Sequence, residues 1–517
     1  MWKLADRMGR RVVILVASLI LLTFLTGFTW PQFNGDPQHS GNNTAESLIN
    51  QSNVSHMALL FHVPLPDSAD GPPIFLQAAR TVSGTRNLLF TTTEYGRIVA
   101  LDANDGTIVW VRQHGPGNCK INDPNGVSGP TCYTTSSPAL DPNGQYVYSY
   151  GLDGYMHKHS VYDGSETIDS TWPETATLKP YNEKGSSPLL VATSGANSYL
   201  YVVNSGYPGD RGDYQGHLTA INLATGAQKV FNTLCSNLTA HLGLGACAEN
   251  QSGVWARSGV VYSAATDRIY LATGNATFYP AGHHWGDTVL ALHPDGTGSG
   301  GDPVDSYTPG DYIYLNNSDV DLGSTNIAII PVAVTSTVLH VGVQGGKDGE
   351  LRLLNLDNLN GHGGPGYTGG EIGPWVTVPQ TGEVLTAPAV WVNPADRSTW
   401  IFVANDYGIS GLQVTYTGQF TPTLTPRWQR AGGGTSPLVA NNVLYYMNGG
   451  TVTALNPIAG NSTALWTAST GSYMHWESPL VANSVLYIAD QGGYLSAYSL
   501  YGVPPPPSIF YLPIVIR

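Results

Sequence analysis

The feature that most constrains this sequence is an internal repeat with eight copies. Each copy begins with a glycine, continues with alternating apolar residues and is followed by a turn rich in Gly, Asp or Asn. The copies are spaced by 42 to 70 residues, which indicates one short unit enlarged by insertions. The initial glycines are Gly96, Gly154, Gly216, Gly286, Gly349, Gly408, Gly450 and Gly493.

A second motif, a small residue and Pro followed by apolar residues, precedes members of the first series. Clear copies lie at 137–140, 187–190, 387–390, 436–439 and 478–481, and degenerate copies at 79–82, 258–261 and 325–328. Alternation with period two between turns predicts strands. Repeats of this length with about four strands each predict an all-β, eight-bladed β-propeller of four-stranded blades, since radial closure leaves no long exposed edge.

The two ends of the repeat region predict how the ring closes. The eighth copy ends at Leu500 with no outer strand after it, whereas the apolar segment 59–63 lies ahead of the first copy without a partner. We therefore expect residues 59–63 to form the outer strand of the last blade.

The first 29 residues have the pattern of a targeting segment. Lys3, Arg7, Arg10 and Arg11 precede an uncharged, mostly apolar run over 12–28. This pattern predicts a hydrophobic helix that acts as a signal peptide or as an N-terminal membrane anchor with its basic end in the cytoplasm. No Ala-x-Ala cleavage site follows the run, which favours the anchor. The rest of the chain is then extracytoplasmic, and the chain contacts the membrane only through this segment.

The four cysteines suit an oxidising compartment. Cys119 and Cys132 enclose one short polar stretch, and Cys235 and Cys247 enclose another. Three disulfide connectivities are possible, and the local pairing 119–132 with 235–247 is the simplest. The absence of Cys-x-x-Cys argues against a zinc ribbon and against covalently attached haem.

The charge balance limits the class of partner. The chain has 36 acidic and 22 basic residues and a formal net charge of −14. Nucleic-acid binding needs a basic surface that displaces phosphate counterions, so nucleic acid is excluded as a partner. A propeller binds ligands where its loops converge at the axial mouth, and we expect an unidentified protein or carbohydrate there.

The repeat resembles a known family. Ala100, Leu101, Asp102, Gly106 and Trp110 look like the tryptophan-docking motif of the PQQ-like (quinoprotein alcohol dehydrogenase-like) β-propeller repeat, in which the Trp of one blade packs against the next. The segment 30–36, with His39 and Gly41, is similar to the start of many exported PQQ-like proteins of bacteria. The resemblance covers about residues 30–500. It implies either a scaffold without cofactor or a quinoprotein dehydrogenase.

The middle repeats resemble the quinoprotein dehydrogenases more closely. Residues 269–275 resemble the segment whose Asn ligates calcium, which assigns Asn275 to the metal, and 319–321 resemble the segment of the catalytic Asp. The resemblance thereby implies Asp321 as catalytic, with Asp319 as a second metal ligand or an alternative catalytic residue. Lys347 and Trp255 correspond to residues that contact the quinone. Calcium would polarise a quinone carbonyl and an Asp would abstract the alcohol proton.

Three departures from that pattern favour a scaffold or binding module without cofactor over the alternative, a dehydrogenase dependent on pyrroloquinoline quinone and calcium. The calcium-binding Glu should fall in 206–213, where only Asp210 and Asp213 are acidic. No adjacent cysteines cap a quinone, and Trp255 aligns two residues out of register, with Arg257 in register.

Other motifs carry less weight. The pattern G-x-G-x-x-G at 296–301 precedes Asp302-Pro303 and opens no helix, so it predicts a loop. His157 and His159 share a strand face and could bind a metal, as could His283 and His284, but satisfied histidines are more common. We predict three parts of the chain: the targeting segment 1–29, the propeller 30–503 and a Pro-rich tail 504–517 with a possible sorting or docking role.

Overall fold

The eight predicted repeats are the eight blades of a β-propeller in the computed structural model, which describes residues 29–116, 119–122, 128–470 and 478–505. Each blade is a sheet of four main strands, and successive strands within a blade are antiparallel. The all-β, eight-bladed prediction is confirmed. The predicted N-terminal hydrophobic helix lies outside the described residues.

The strands are given from the innermost to the outermost. Blade one contains Ile74–Thr81, Gly84–Thr92, Arg97–Asp102 and Ile108–Gln113, and blade two contains Ala139–Leu140, Tyr146–Tyr150, Tyr155–Ser160 and Glu174–Thr175. Blade three contains Leu190–Ser194, Asn197–Gly206, His217–Asn222 and Gln228–Asn232, and the short strand Glu183–Gly185 also pairs with its second strand. Blade four contains Val261–Ser263, Arg268–Ala272, Val289–Leu292 and Asp305–Tyr307. Blade five contains Ala328–Ile330, Val341–Gln344, Glu350–Asn355 and Val376–Thr377, and blade six contains Ala389–Val392, Thr399–Ala404, Gly408–Thr417 and Thr421–Ala431. Blade seven contains Leu438–Ala440, Val443–Asn448, Thr451–Leu455 and Trp466–Ser469. Blade eight contains Leu480–Ala482, Val485–Ala489, Tyr494–Leu500 and Met57–Pro64.

Both sequence motifs have a fixed place in the blades. The glycine series lies at or just before the start of the third strand of every blade. The Ser-Pro series directly precedes or opens the inner strand of every blade except the first, where the degenerate copy 79–82 lies at the end of Ile74–Thr81. At Gly96 the turn into the third strand has φ of 78°, and a Cβ there would lie 2.6 Å from the carbonyl oxygen of His114. Glycine is therefore required at this position by both conformation and space.

The ring closes as predicted. Met57–Pro64 pairs antiparallel with Tyr494–Leu500, from Met57 opposite Leu500 to Pro64 opposite Tyr494. This strand is the outermost one of blade eight, and it comes from the opposite end of the chain to the other three. The predicted segment 59–63 lies within it.

The hydrophobic core lies between the blades. Buried apolar clusters join neighbouring blades, for example blades three and four or blades six and seven. Tryptophans reinforce these contacts: a Cβ on Gly164 of blade two would lie 2.5 Å from Trp110 of blade one, and one on Gly460 of blade seven 2.4 Å from Trp428 of blade six. The expected docking of a Trp on the next blade is confirmed at both places.

The segment that precedes the closing strand fills the central channel. Residues 29–43 form hydrogen bonds with the inner strands of seven blades, all except blade five, within the part of the chain that the structure describes. Examples are the amide of Leu140 to the carbonyl oxygen of Pro31, and the amide of Val390 to that of Ser40. We call residues 29–43 the plug.

The remaining elements are short. Two-residue strands Thr29–Trp30 and Asn42–Asn43 belong to the plug, and small hairpins form from Lys120–Asn122 with Ser128–Thr131 and from Phe278–Tyr279 with His284–Trp285. One six-residue α-helix, Tyr312–Asn317, and the 3₁₀ turns Val54–His56, Pro280–Gly282 and Leu322–Ser324 complete the described structure. This short helix is an addition to the predicted all-β fold.

The cysteines form the two local disulfides, Cys119–Cys132 and Cys235–Cys247, as the simplest connectivity predicted. No helix within the described residues is long and apolar enough to cross a membrane.

The two ends of the propeller differ. Connections between blades and the turns between second and third strands open at one end, which we call the mouth. The opposite end contains a cavity of about 1470 Å³ lined by the plug and by the ends of inner strands, among them Val191, Tyr262 and Val390.

Candidate functional site

All five residues that the sequence singled out for a quinone or metal site lie at the mouth. Trp255 is in the connection from blade three to blade four, and Asn275 is in the long turn after the second strand of blade four. Asp319 and Asp321 follow the short helix before blade five, and Lys347 is in the turn between the second and third strands of blade five. The antiparallel order of the strands brings these connections to the same end.

Four of these residues form one contact group, which we call the mouth cluster: Trp255, Asn275, Asp321 and Lys347. The ammonium nitrogen of Lys347 lies 2.5 Å from Oδ2 of Asp321 and 5.3 Å from the centre of the Trp255 ring. The backbone N–H of Asn275 donates to Oδ1 of Asp321 at 2.6 Å. Asp319 lies at the rim, with Oδ1 3.5 Å from the Lys347 nitrogen and 70% of its side chain exposed.

Burial and charge oppose each other in this cluster. Burial raises the pKa of Asp321, although Lys347 and the Asn275 amide stabilise its ionised form. Burial alone would lower the pKa of Lys347, but the nearby Asp321 and Asp319 raise it above its ordinary value. The lysine is therefore a permanent cation that neutralises a buried carboxylate.

A second carboxyl group lies behind the cluster. Asp287 is buried, its Oδ1 accepts the amide of Leu322, and its Oδ2 has no hydrogen-bond partner among the described residues. Burial raises the pKa of Asp287 well above its usual range, with Asp321 adding to the effect. Asp287 and Asp321 thus oppose each other's ionisation, and Lys347 is the cation that contacts Asp321.

The residues do not fit a calcium ion of the expected kind. A calcium site needs six to eight oxygen ligands, and the two candidates for the missing Glu are already engaged. Oδ1 of Asp210 accepts the hydroxyl of Tyr214, and the two oxygens of Asp213 accept from Gln215 and from the amide of Gly245. The one group of three His, Cys, Asp or Glu ligands that comes together among the described residues includes none of the residues named here. Lys347 supplies the positive charge beside Asp321.

Sequence reasoning missed the groups at the centre of the mouth. Nη1 of Arg257 donates to the carbonyl oxygens of Thr135 and Asp70, at 3.1 and 3.4 Å, and so joins blade four to the connections that precede blades one and two. Lys184 lies 3.8 Å from the centre of the Tyr133 ring, and burial lowers the pKa of Lys184 to about 7. Arg257 had a signal, since it stood in register with a family tryptophan, whereas Lys184 had none.

The rim beside Lys347 comes from blades five and six. Glu383 lies in the connection between them, and Asp406 and Tyr407 lie in the second turn of blade six. Burial raises the pKa of Glu383, which Lys347 opposes and Asp406 reinforces. Tyr407 is 60% exposed. This part of the mouth thus combines the indole of Trp255, the exposed phenol of Tyr407 and several acidic side chains.

Comparison with known proteins supports the fold. Residues 54–266 match the family model described as outer membrane protein assembly factor BamB. No curated protein sequence matches the chain significantly.

Solved structures of similar shape cover almost the whole chain. Quinohemoprotein alcohol dehydrogenase ADHIIG from Pseudomonas putida HK5 is 13% identical with a TM-score of 0.63, covering 93% of this chain and 81% of its own. The quinohemoprotein alcohol dehydrogenase from Comamonas testosteroni is 14% identical with a TM-score of 0.62 and the same coverage. A europium-containing methanol dehydrogenase is 15% identical with a TM-score of 0.62, covering 94% of this chain and 100% of its own. At these identities the likeness concerns the fold alone.

Proposed function

Since this chain has the fold of a PQQ-like β-propeller, we propose that it is an extracytoplasmic binding module whose ligand site is the mouth cluster and its rim. The observation that carries the proposal is the convergence of Trp255, Asn275, Asp321 and Lys347 from connections of blades four and five. Groups distant in sequence meet here: the side chains of Asp321 and Lys347, the half-buried indole of Trp255 and the backbone amide of Asn275. The two disulfides are typical of an oxidising compartment.

A carbohydrate is the ligand class that suits this chemistry. Aromatic rings offer apolar faces to sugar rings, and carboxylates accept hydrogen bonds from hydroxyl groups. Trp255 and the exposed Tyr407 provide the rings, and Asp319 and Glu383 provide acceptors at the rim. Lys347 already neutralises the buried Asp321, so the site does not need a charged ligand.

Glycan binding tests this proposal. We expect the purified chain to bind members of a panel of neutral oligosaccharides, first on a glycan array and then by calorimetry. Trp255→Ala and Tyr407→Ala should each weaken binding at least about tenfold. A tenfold loss corresponds to one good contact of roughly 1.4 kcal/mol. Tyr162→Ala is the matched control, because Tyr162 is 49% exposed in a turn at the opposite end of blade two. Failure to bind any glycan, or equal loss in the control, contradicts the proposal.

A quinone-dependent alcohol or sugar dehydrogenase is the second candidate, and one observation favours it. The three positions assigned by resemblance to the quinone and the catalytic base, Trp255, Lys347 and Asp321, do meet. The absent calcium ligands count against it. Dye-linked alcohol oxidation after addition of calcium and pyrroloquinoline quinone, lost in Asn275→Ala and Asp321→Ala, would replace the binding module by this candidate.

A further inference from the structure

A cluster of histidines and carboxylates lies at the contact between blades one and two, apart from the mouth cluster. His114 follows the outer strand of blade one, and His157 and His159 alternate on the third strand of blade two. Alternate residues of a strand point to the same face, and this face contacts blade one. Asp153 lies in the turn before that strand. Glu166 follows the strand and forms an isolated antiparallel bridge with His159.

The distances are those of a potential ligand set. One ligand atom from each of His114, His157 and Glu166 lies within 4.8 Å of the others, and these form the one such trio among the described residues. Nδ1 of His157 is 2.6 Å from Oε1 of Glu166, and Nδ1 of His114 is 3.9 Å from Oε2 of the same residue. Ligands of one tetrahedral zinc ion, at about 2.0–2.2 Å from the metal, lie roughly 3.4 Å apart.

The outer nitrogens of both rings are held by neighbours. Nε2 of His157 is 3.1 Å from Oδ1 of Asp153, and Nε2 of His114 is 3.0 Å from Nε2 of His159. These contacts leave Nδ1 of each ring to face Glu166. A carboxylate or other partner on the far nitrogen is the usual way in which a metal-binding histidine is oriented.

Burial favours ligation over a surface role. His157 is 3% and His159 is 0% exposed, and Nδ1 of His159 has no hydrogen-bond partner among the described residues. The side chain of His114 is 11% exposed and that of Glu166 is 20% exposed, so an ion can enter beside them. The rings of His114 and His157 are stacked with centroids 3.6 Å apart, so one of them must turn to accommodate an ion. His114 lies beyond the end of its strand and its side chain is the more exposed of the two, so we expect its ring to turn and to exchange the contact with His159 for the ion.

We propose that His114, His157 and Glu166 bind a zinc-class divalent cation, with Asp153 and His159 as positioning residues, and that the ion fastens blade one to blade two. Two imidazoles and a carboxylate are ligands that zinc accepts, with a fourth position left for water. Calcium and magnesium, which take oxygen ligands, are excluded by the two nitrogen donors. The site shares no residue with the mouth cluster or with its rim.

Zinc titration of the purified, chelator-treated chain tests this site. We expect one equivalent of Zn²⁺ to bind by calorimetry and to raise the melting temperature. His114→Ala and Glu166→Gln should each weaken zinc binding at least tenfold and remove the zinc-dependent rise. Co²⁺ in place of zinc should give the visible absorption of a tetrahedral site in the wild-type chain and not in His114→Ala.

The control is His340→Ala, which removes a partly exposed histidine paired with Asp357 on blade five and should leave zinc binding unchanged. Each variant is first melted in chelator, and only variants with wild-type melting under those conditions are compared. His114 is the most exposed of the three histidines and its replacement is the one least expected to disturb folding. The proposal is overturned if the wild-type chain does not bind stoichiometric zinc in the titration. It is also overturned if His114→Ala and Glu166→Gln bind zinc as tightly as the wild type.

Discussion

Lys347 stabilises a carboxylate that would otherwise be costly to bury. Asp321 is 3% exposed and has two partners, the ammonium group of Lys347 and the amide of Asn275. Removal of one partner of a buried ion pair typically costs about 3–5 kcal/mol. Because the Lys347 side chain is 16% exposed, water screens the pair and the cost should be smaller.

We predict that Lys347→Met lowers the free energy of unfolding by about 2 kcal/mol near pH 7 and by much less near pH 4. The folded-state pKa of Asp321 is already raised by burial and rises further without the lysine. A carboxyl group with a raised pKa stabilises the fold fully below its unfolded-state pKa and loses that contribution as pH rises through the folded-state value. Urea unfolding at the two pH values measures the difference.

The double variant Lys347→Met with Asp321→Asn is the control for this prediction. It removes the unpaired charge together with the lysine, so it should recover most of the stability lost near pH 7. Equal destabilisation by Lys347→Met at both pH values would show that lost packing, and not the unpaired carboxylate, is responsible.

The family-like segments of the sequence locate these residues but not their chemistry. They place Trp255, Asn275, Asp321 and Lys347 in connections at the mouth, and the structure brings them together. No pattern revealed that Asp210 and Asp213 are engaged by Tyr214, Gln215 and the amide of Gly245. Such partners depend on how loops from separate turns fold on each other, which local periodicity does not encode. The roles assigned to the site residues remain predictions.

At the scale of the blade, tryptophan docking joins neighbouring sheets. Trp428, on the outer strand of blade six, is 5% exposed and donates from Nε1 to the carbonyl oxygen of Pro457 at 2.8 Å. Its ring lies against Gly460 of blade seven, where a Cβ would be 2.4 Å from the ring. The glycine leaves room for the indole, so this contact needs both residues.

Gly460→Ala should therefore destabilise the propeller by about 1–3 kcal/mol, the usual cost of forcing extra volume into a packed contact. The backbone of Gly460 does not have a positive φ, so steric overlap with Trp428 is the cause. Thermal melting and urea unfolding measure the loss. Gly310→Ala is the matched control, since Gly310 also lacks a positive φ and a Cβ added there would meet nothing within 4 Å; equal effects of both substitutions would contradict the explanation.

Blades were predictable because their signal is repeated. One Gly-initiated strand is weak evidence, but eight copies in register with the Ser-Pro series fix the strand order and the number of blades. The helix Tyr312–Asn317 was not predicted, because six residues with one buried side chain, Leu315, give no helical periodicity. The histidine cluster was seen only as a pair on a strand, since His114 and Glu166 reach it from other elements.

At the scale of the whole molecule, the N-terminal region contacts the ring at two places, inside the central channel and at the outer edge of blade eight. The plug bonds to the inner strands of seven blades, and Met57–Pro64 completes blade eight at the outside. The sequence predicted the outer strand from an unpaired edge, but it contained no sign of the plug. Residues 29–43 have no alternation, and only one or two residues of the plug, through backbone or side-chain groups, bond to each inner strand. These strands are adjacent to one another only after the ring has closed.

Deletion of residues 30–63 should therefore cause loss of cooperative melting or aggregation. The truncated chain lacks the outer strand of blade eight, which exposes the backbone of Tyr494–Leu500 as an unpaired edge that can pair with other chains, and it opens the channel lined by inner strands. Calorimetry and sedimentation of the purified protein give the measurement. His62→Ala is the control within the same strand: it removes a hydrogen bond to Ser496 and a stacking contact with Tyr494 but keeps the backbone pairing, so it should cost no more than about 1 kcal/mol. A truncated monomer that melts like the full chain would contradict the role assigned to both segments.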